Sequence, residues 1–199
     1  MMSYLVLRGS EPPWGDYGDV LVNGMSSGGR DDDGFIKLER TGPFIPPITF
    51  PGIHAVVVTD QLRSDLLSSG LTGLGFVPVV KAQIVRLDWH TWSTESDEPS
   101  WYPESGEPED YIFAASHDES AARALGRLWE LAPDRHGTLV RTDESAQEVR
   151  VSGELPDFFS PDHVTYRPVL ISPAAQTWLS RTVGQWIGLR RPPIPLVGA

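Results

Sequence analysis

The sequence predicts an α+β fold: a mixed or largely antiparallel sheet, about three short helices and two β–α–β-like units. Three observations carry this expectation. Short β-branched runs such as "HAVVVTD" recur between turn residues, which is the pattern of brief strands. The 199 residues include 19 Gly and 18 Pro, so turns are frequent and long helices are disfavoured. Finally, "VVVTDQLRSDLLSSGLTGLGFVPVV", residues 56–80, reads as strand, capped helix, glycine stop and strand.

The elements follow in order. "SYLVLRG" (3–9) is an opening strand. The next segment mixes turn residues with one apolar run, "DVLVN", and suggests a hairpin or irregular excursion. "FIKLER" (35–40) alternates apolar and polar residues, as a half-buried strand does. "TGPFIPPITFPG" carries four prolines and reads as a rigid connector, because Pro lacks the ladder donor.

In the 56–80 unit, Thr59 or Asp60 supplies the helix cap. Leu62, Leu66 and Leu67 fall on one helical face, and Gly70 stops the helix in the left-handed region. The returning strand is interrupted at Pro78. "YIFAAS" suggests a strand. "SHDESAARALGRLWELAP" predicts a helix with a Ser116/Glu119 capping box, a stripe of Leu125, Leu128, Trp129 and Ala132, and a stop at Pro133. "TLVRT" and "EVRVSG" read as two short strands, and "ELPDFFSPDHVTYRP" as loop.

A second unit, "VLISPAAQTWLSRTVGQWIGLRR" (169–191), echoes the first. A shift of 113 positions sets Val58 on Ile171, Thr59 on Ser172, Leu66 on Leu179 and Gly75 on Gly188. Pro173 occupies the first helical position, where its missing N–H costs nothing. The pattern is compatible with a duplication and equally with repeated local grammar. One domain spanning 1–199 accommodates both possible pseudo-repeat units, at 54–90 and 167–191, and a chain of this length can bury a sizeable core.

The chain contains no Cys, which excludes disulfides, thiolate catalysis and Cys-based metal sites. No signal peptide or membrane span is legible, so the expected location is the cytoplasm. The formal charge is −11. That field repels phosphate backbones and anionic membranes, which argues against nucleic-acid and membrane partners and favours a basic protein.

Several motifs suggest chemistry and fall short of it. "GMSSG" matches G-x-S-x-G, but "GRDDDG" cannot form the helix that a nucleophile elbow needs after Ser26. "DDDG" lacks the EF-hand spacing and reads as a solvated acidic turn. The five His form no metal-ligand pair. Asp88 and His90 share one face of a strand, a spacing that lets a carboxylate orient an imidazole, although a polar pair at a strand edge explains them as well. No catalytic, cofactor-binding or metal-binding residue is expected on these grounds.

The segment 93–111 is expected to be an acidic surface loop. Residues 95–110 hold seven acidic side chains, three prolines and no basic residue, a composition that resists packing. Trp101 and Tyr102 lie within it, and aromatic rings beside carboxylates suit the capture of a basic partner. The candidate partner-binding residues are therefore Asp97, Glu98, Trp101, Tyr102, Glu104, Glu107, Glu109 and Asp110.

The 56–80 unit, with its "GLTGL" turn before "GFVPV", resembles bacterial immunity proteins that neutralise polymorphic toxins. The likeness is nearest to the myxobacterial family named for a double CXXCG motif, and it covers residues 56–80, with a looser match in the C-terminal unit. This chain lacks the cysteines of both CXXCG motifs. The resemblance implies a non-enzymatic cytoplasmic inhibitor that binds a cognate toxin. A negative surface would speed its encounter with a basic toxin. Two other classes stay open at this point: an enzyme centred on Asp88 and His90, and a structural or regulatory interaction module.

Overall fold

The computed structural model of the chain describes residues 4–52, 55–87, 104–141, 147–151, 154–162, 168–188 and 196–198. In chain order the elements are β1 (Leu5–Val6), β2 (Arg8–Gly9), α1 (Gly15–Asn23), β3 (Lys37–Gly42), β4 (Ile48–Thr49), β5 (Val57–Thr59), α2 (Asp60–Ser68), β6 (Phe76–Pro78) and β7 (Val80–Arg86). There follow α3 (Asp110–Phe113), α4 (Glu119–Ala124), β8 (Leu128–Leu131), β9 (Arg135–Arg141), β10 (Gln147–Val151), β11 (Phe158–Asp162), β12 (Leu170–Ile171), α5 (Pro173–Val183), β13 (Ile187–Gly188) and β14 (Leu196–Gly198). The fold is α+β. Most strand pairs run antiparallel; among the described residues β3–β7, β9–β11 and β10–β14 are parallel.

One sheet has the order β4-β5-β8-β6. Strand β8 lies between β5 and β6 and is antiparallel to both. Helix α2 is thus the crossover of a β–α–β unit split by an inserted strand. The C-terminal unit is built the same way. Strands β12 and β13 are both antiparallel to the N-terminal segment, β12 on β1 and β13 on β2. The correspondence extends to single hydrogen bonds. Leu131 N–H donates to the Val56 carbonyl at 2.8 Å, and Leu7 N–H to the Val169 carbonyl at 2.9 Å. Thr59 N–H donates to Pro47 at 3.0 Å, and Ser172 N–H to Asp157 at 2.9 Å. In each unit a preceding strand pairs antiparallel with the first: β4 on β5, β11 on β12. The inserted strand follows the first unit in the chain and precedes the second.

The two units face one another across the main core. Val56, Val58, Leu66 and Leu131 of the first meet Val169, Ile171, Leu179 and Leu7 of the second in one buried cluster. The opposite face of the first sheet, carrying Val57 and Leu128, packs under Ile36 and Leu38. Each crossover helix starts on a hydroxyl cap. Thr59 Oγ1 accepts from Leu62 N–H at 3.3 Å, and Ser172 Oγ from Ala175 N–H at 3.1 Å. Leu62 and Leu66 are buried as their spacing requires, but Leu67 is 53% exposed. Adjacent helical residues sit about 100° apart, and the core takes only the narrower Leu62–Leu66 stripe.

Four expectations change. The helix anticipated over 116–133 ends early: Asp118, not Ser116, caps α4, and Gly126 at φ +67° breaks the chain away. The remaining "LWEL" becomes β8, the central strand between β5 and β6, because its alternation serves both sheet faces and tertiary pairing outweighs propensity. "YIFAAS" begins in α3 rather than in a strand. "DVLVN" lies in α1, where Tyr17, Val20 and Leu21 are buried at helical spacing. "DFFSPD" contains β11 rather than loop throughout; Pro161 is tolerated where the register against β9 shifts. Five helices, two more than expected, are therefore present among the described residues, the added ones being α1 and α3.

Candidate partner-binding face

Helices α1 and α3 lie against the parallel pair β3–β7 and against each other. Val20, Val85 and Ile112 form the buried cluster beneath them, with Tyr111 packed at its edge. The rings of Tyr17 and Tyr111 meet edge to face at 6.3 Å, which fixes the two helices side by side. Their outward positions are acidic. Asp16 and Asp19 are exposed on α1. Glu104, Glu107 and Glu109 are exposed just ahead of α3, and Asp110, its first residue, is half-buried. Backbone bonds from Asp110 to Glu107 (3.1 Å) and from Ile112 to Glu109 (3.0 Å) hold this approach in a turn. Phe113, 50% exposed, places an apolar surface among these carboxylates.

Of the residues anticipated from sequence, Glu104, Glu107, Glu109 and Asp110 share this turn-and-helix face, while Asp97, Glu98, Trp101 and Tyr102 lie outside the described residues. Asp16 and Asp19 were missed. Their signal was present in the helical spacing of Tyr17, Val20 and Leu21, which leaves positions 16 and 19 on the outer side. Desolvation at its base pushes the Asp19 carboxyl up and the Asp16 charge adds to this, while the 2.6 Å hydrogen bond from the Asn23 amide opposes it; the net shift is upward.

The other polar constellations are occupied by structural roles. Ser26 follows helix α1 and donates to the Pro51 carbonyl at 2.7 Å, so its hydroxyl is neither on a strand-to-helix turn nor free. Asp31 accepts from the N–H groups of Asp33 (3.1 Å) and Phe35 (2.8 Å), an Asx-type turn that closes the "DDDG" hairpin tip. His117 Nδ1 accepts from Ile84 N–H at 3.1 Å and extends the β7 edge. Asp118 receives the Ser120 hydroxyl, the Arg86 guanidinium and the Ala121 N–H, which together hold its carboxyl well below the usual range. That network ties the start of α4 to β7. Asp88 and His90 lie outside the described residues.

A cavity of about 90 Å³ opens where β8 meets β11 and the start of β12, lined by Glu130, Arg135, Ser160 and Val169 among others. Its one buried carboxylate, Glu130, is already held bidentately by Arg30 at 2.6 and 2.8 Å. Among the described residues no cluster of three His, Asp or Glu side chains is placed to hold a metal ion. Among them, too, no helix is long and apolar enough to cross a membrane. Comparison with protein-family models, with curated proteins and with solved structures finds no match to this chain.

Proposed function

We propose that this chain is a binding protein that captures a basic macromolecule on the acidic face of α1 and α3, in the manner of a cytoplasmic immunity protein occluding a cognate toxin. The observation that supports this reading is the Tyr17–Tyr111 contact, which sets α1, with its exposed Asp16 and Asp19, beside α3 and the turn before it, with exposed Glu104, Glu107 and Glu109 and half-buried Asp110. The exposed Phe113 ring offers the apolar contact that a charged rim by itself lacks. Such a protein acts by steric occlusion and electrostatic steering, with no catalytic side chain, metal or cofactor. A basic toxin suits the face in a way that nucleic acid or an anionic bilayer does not. The fold supplies a rigid scaffold: two packed β–α–β units hold the core, and the acidic helices ride on the β3–β7 pair outside it.

The test is co-expression with the product of the adjacent gene, followed by association kinetics at low salt. The expected result is rescue from toxicity, co-purification, and an association rate that falls at least tenfold when Glu104, Glu107 and Glu109 are reversed to Lys. A neighbouring product that is neither toxic nor retained by the protein would overturn the reading. An unchanged association rate in the reversed variant would move the interface away from this face.

A further inference from the structure

Strand β7 pairs with β3 along one edge, and the segment between α3 and α4 closes the other. Both backbone polar groups of the buried Ile84 are taken up there. Its N–H donates to His117 Nδ1 at 3.1 Å, and its carbonyl accepts from the Asp118 N–H at 2.7 Å. The Gln83 side-chain amide adds a bond to the Ala115 carbonyl at 2.6 Å. A backbone N–H can only donate, so the ring nitrogen that meets it carries no proton. The imidazole of His117 is therefore neutral in this arrangement, with its proton on Nε2, and Nδ1 stands where a neighbouring strand would place a carbonyl. Nε2 in turn lies 3.7 Å from Glu119 Oε1. The ring thus sits between two partners that favour opposite protonation states.

The other charged groups of this region are engaged elsewhere. Asp118 accepts from Arg86 Nε at 2.8 Å and from the Ser120 hydroxyl at 2.6 Å. Lys81 of β7 donates to the Ala122 carbonyl and, at 3.1 Å, to the Gly126 carbonyl. Glu119 is the carboxylate within ion-pair distance of the ring, and the His117 side chain is 27% exposed, so protons reach it from solvent. Imidazole changes charge between pH 5 and 8. We propose that His117 is a pH-operated clasp on the edge of β7. In its neutral form Nδ1 accepts the Ile84 N–H and closes the edge. On acidification Nδ1 gains a proton and becomes a donor, the bond from Ile84 is lost, and the imidazolium turns to the Glu119 carboxylate. Residues 114–118 then loosen between α3 and α4 and leave the Ile84 N–H as an open edge donor.

Native-state amide exchange followed by NMR at pH 8 and pH 5, corrected for the intrinsic exchange rate, reads the clasp. Protection of the Ile84 amide should fall about tenfold on acidification, the worth of one hydrogen bond. Leu131, whose N–H is bonded to the Val56 carbonyl, should hold. His117→Asn keeps an acceptor oxygen near the Ile84 N–H at both pH values and should erase the difference. Glu119→Gln removes the acid-state partner and should move the loss to lower pH. Nitrogen shifts of the ring at pH 8 should place its proton on Nε2. Ile84 protection unchanged between pH 8 and pH 5, a ring proton on Nδ1 at pH 8, or a Glu119→Gln variant that loses protection at the same pH as the parent chain would overturn the proposal.

Discussion

The Ser172 hydroxyl donates to the Asp157 carboxylate at 2.5 Å, while accepting the Ala175 N–H as the cap of α5. The other carboxylate oxygen receives the Thr72 N–H at 3.0 Å and the Thr72 hydroxyl at 3.1 Å. One side chain thus ties the "GLTGL" turn of the first unit to the helix start of the second. The turn is a docking strap between the units.

Replacing Asp157 with Ala should cost about 1–3 kcal/mol, the range for losing charged hydrogen bonds at a partly buried site. The pH dependence follows from the sign of its shift. Burial alone would raise this carboxyl, but the Ser172 and Thr72 bonds outweigh burial and hold it below its usual value. Its contribution is therefore complete above the unfolded value of about 4 and is lost as pH falls through the lower folded value. Urea unfolding between pH 5 and pH 2 should show a shallower acid loss for Asp157→Asn than for the parent chain. Equal slopes would remove Asp157 from the acid response.

Gly73 and Gly70 separate close approach from backbone conformation. Both have positive φ, +78° and +80°. A Cβ on Gly73 would stand 2.0 Å from the Phe158 carbonyl oxygen, whereas a Cβ on Gly70 meets nothing. Gly70→Ala should cost about 1–2 kcal/mol from the left-handed backbone. Gly73→Ala should cost clearly more, since the strap must also lift off β11. A smaller loss for Gly73→Ala than for Gly70→Ala in chemical denaturation would contradict this docking.

Leu66 and Leu179 occupy equivalent places on α2 and α5, each 1% exposed. Truncating either to Ala should cost about 2–5 kcal/mol, as buried leucines do. Leu67→Ala, one position along, should stay within about 0.5 kcal/mol. Differential scanning calorimetry of the three variants checks the ranking; a costly Leu67→Ala would mean that this side chain is covered in solution.

Asp16 and Asp19 belong to the acidic face only because α1 is helical. Converting both to Asn should slow capture of a basic partner at low salt and leave stability nearly unchanged. The difference should shrink at high ionic strength as the Debye length contracts to about 3 Å at 1 M. A salt-independent defect would indicate damage to the α1–α3 packing instead.

The α+β class, the two capped crossover helices, the break after Pro78 and the acidic run through Glu104, Glu107, Glu109 and Asp110 were legible in the residues alone. These features are written in local chemistry: hydroxyl caps, glycine stops, β-branched runs and charge density act over a few residues. Tertiary structure alone decided that "LWEL" is a strand, because only there can it fill the gap between β5 and β6, where pairing on both edges outweighs the helical tendency of "SAARA" just before it. It also decided that β1 and β2 complete the C-terminal unit, a contact between residues separated by most of the chain and invisible to any local window. The same holds for Asp157 and the pairing of α1 with α3. Each depends on which distant backbone or ring arrives beside it, and that is settled by burial of the shared core rather than by the neighbours in sequence.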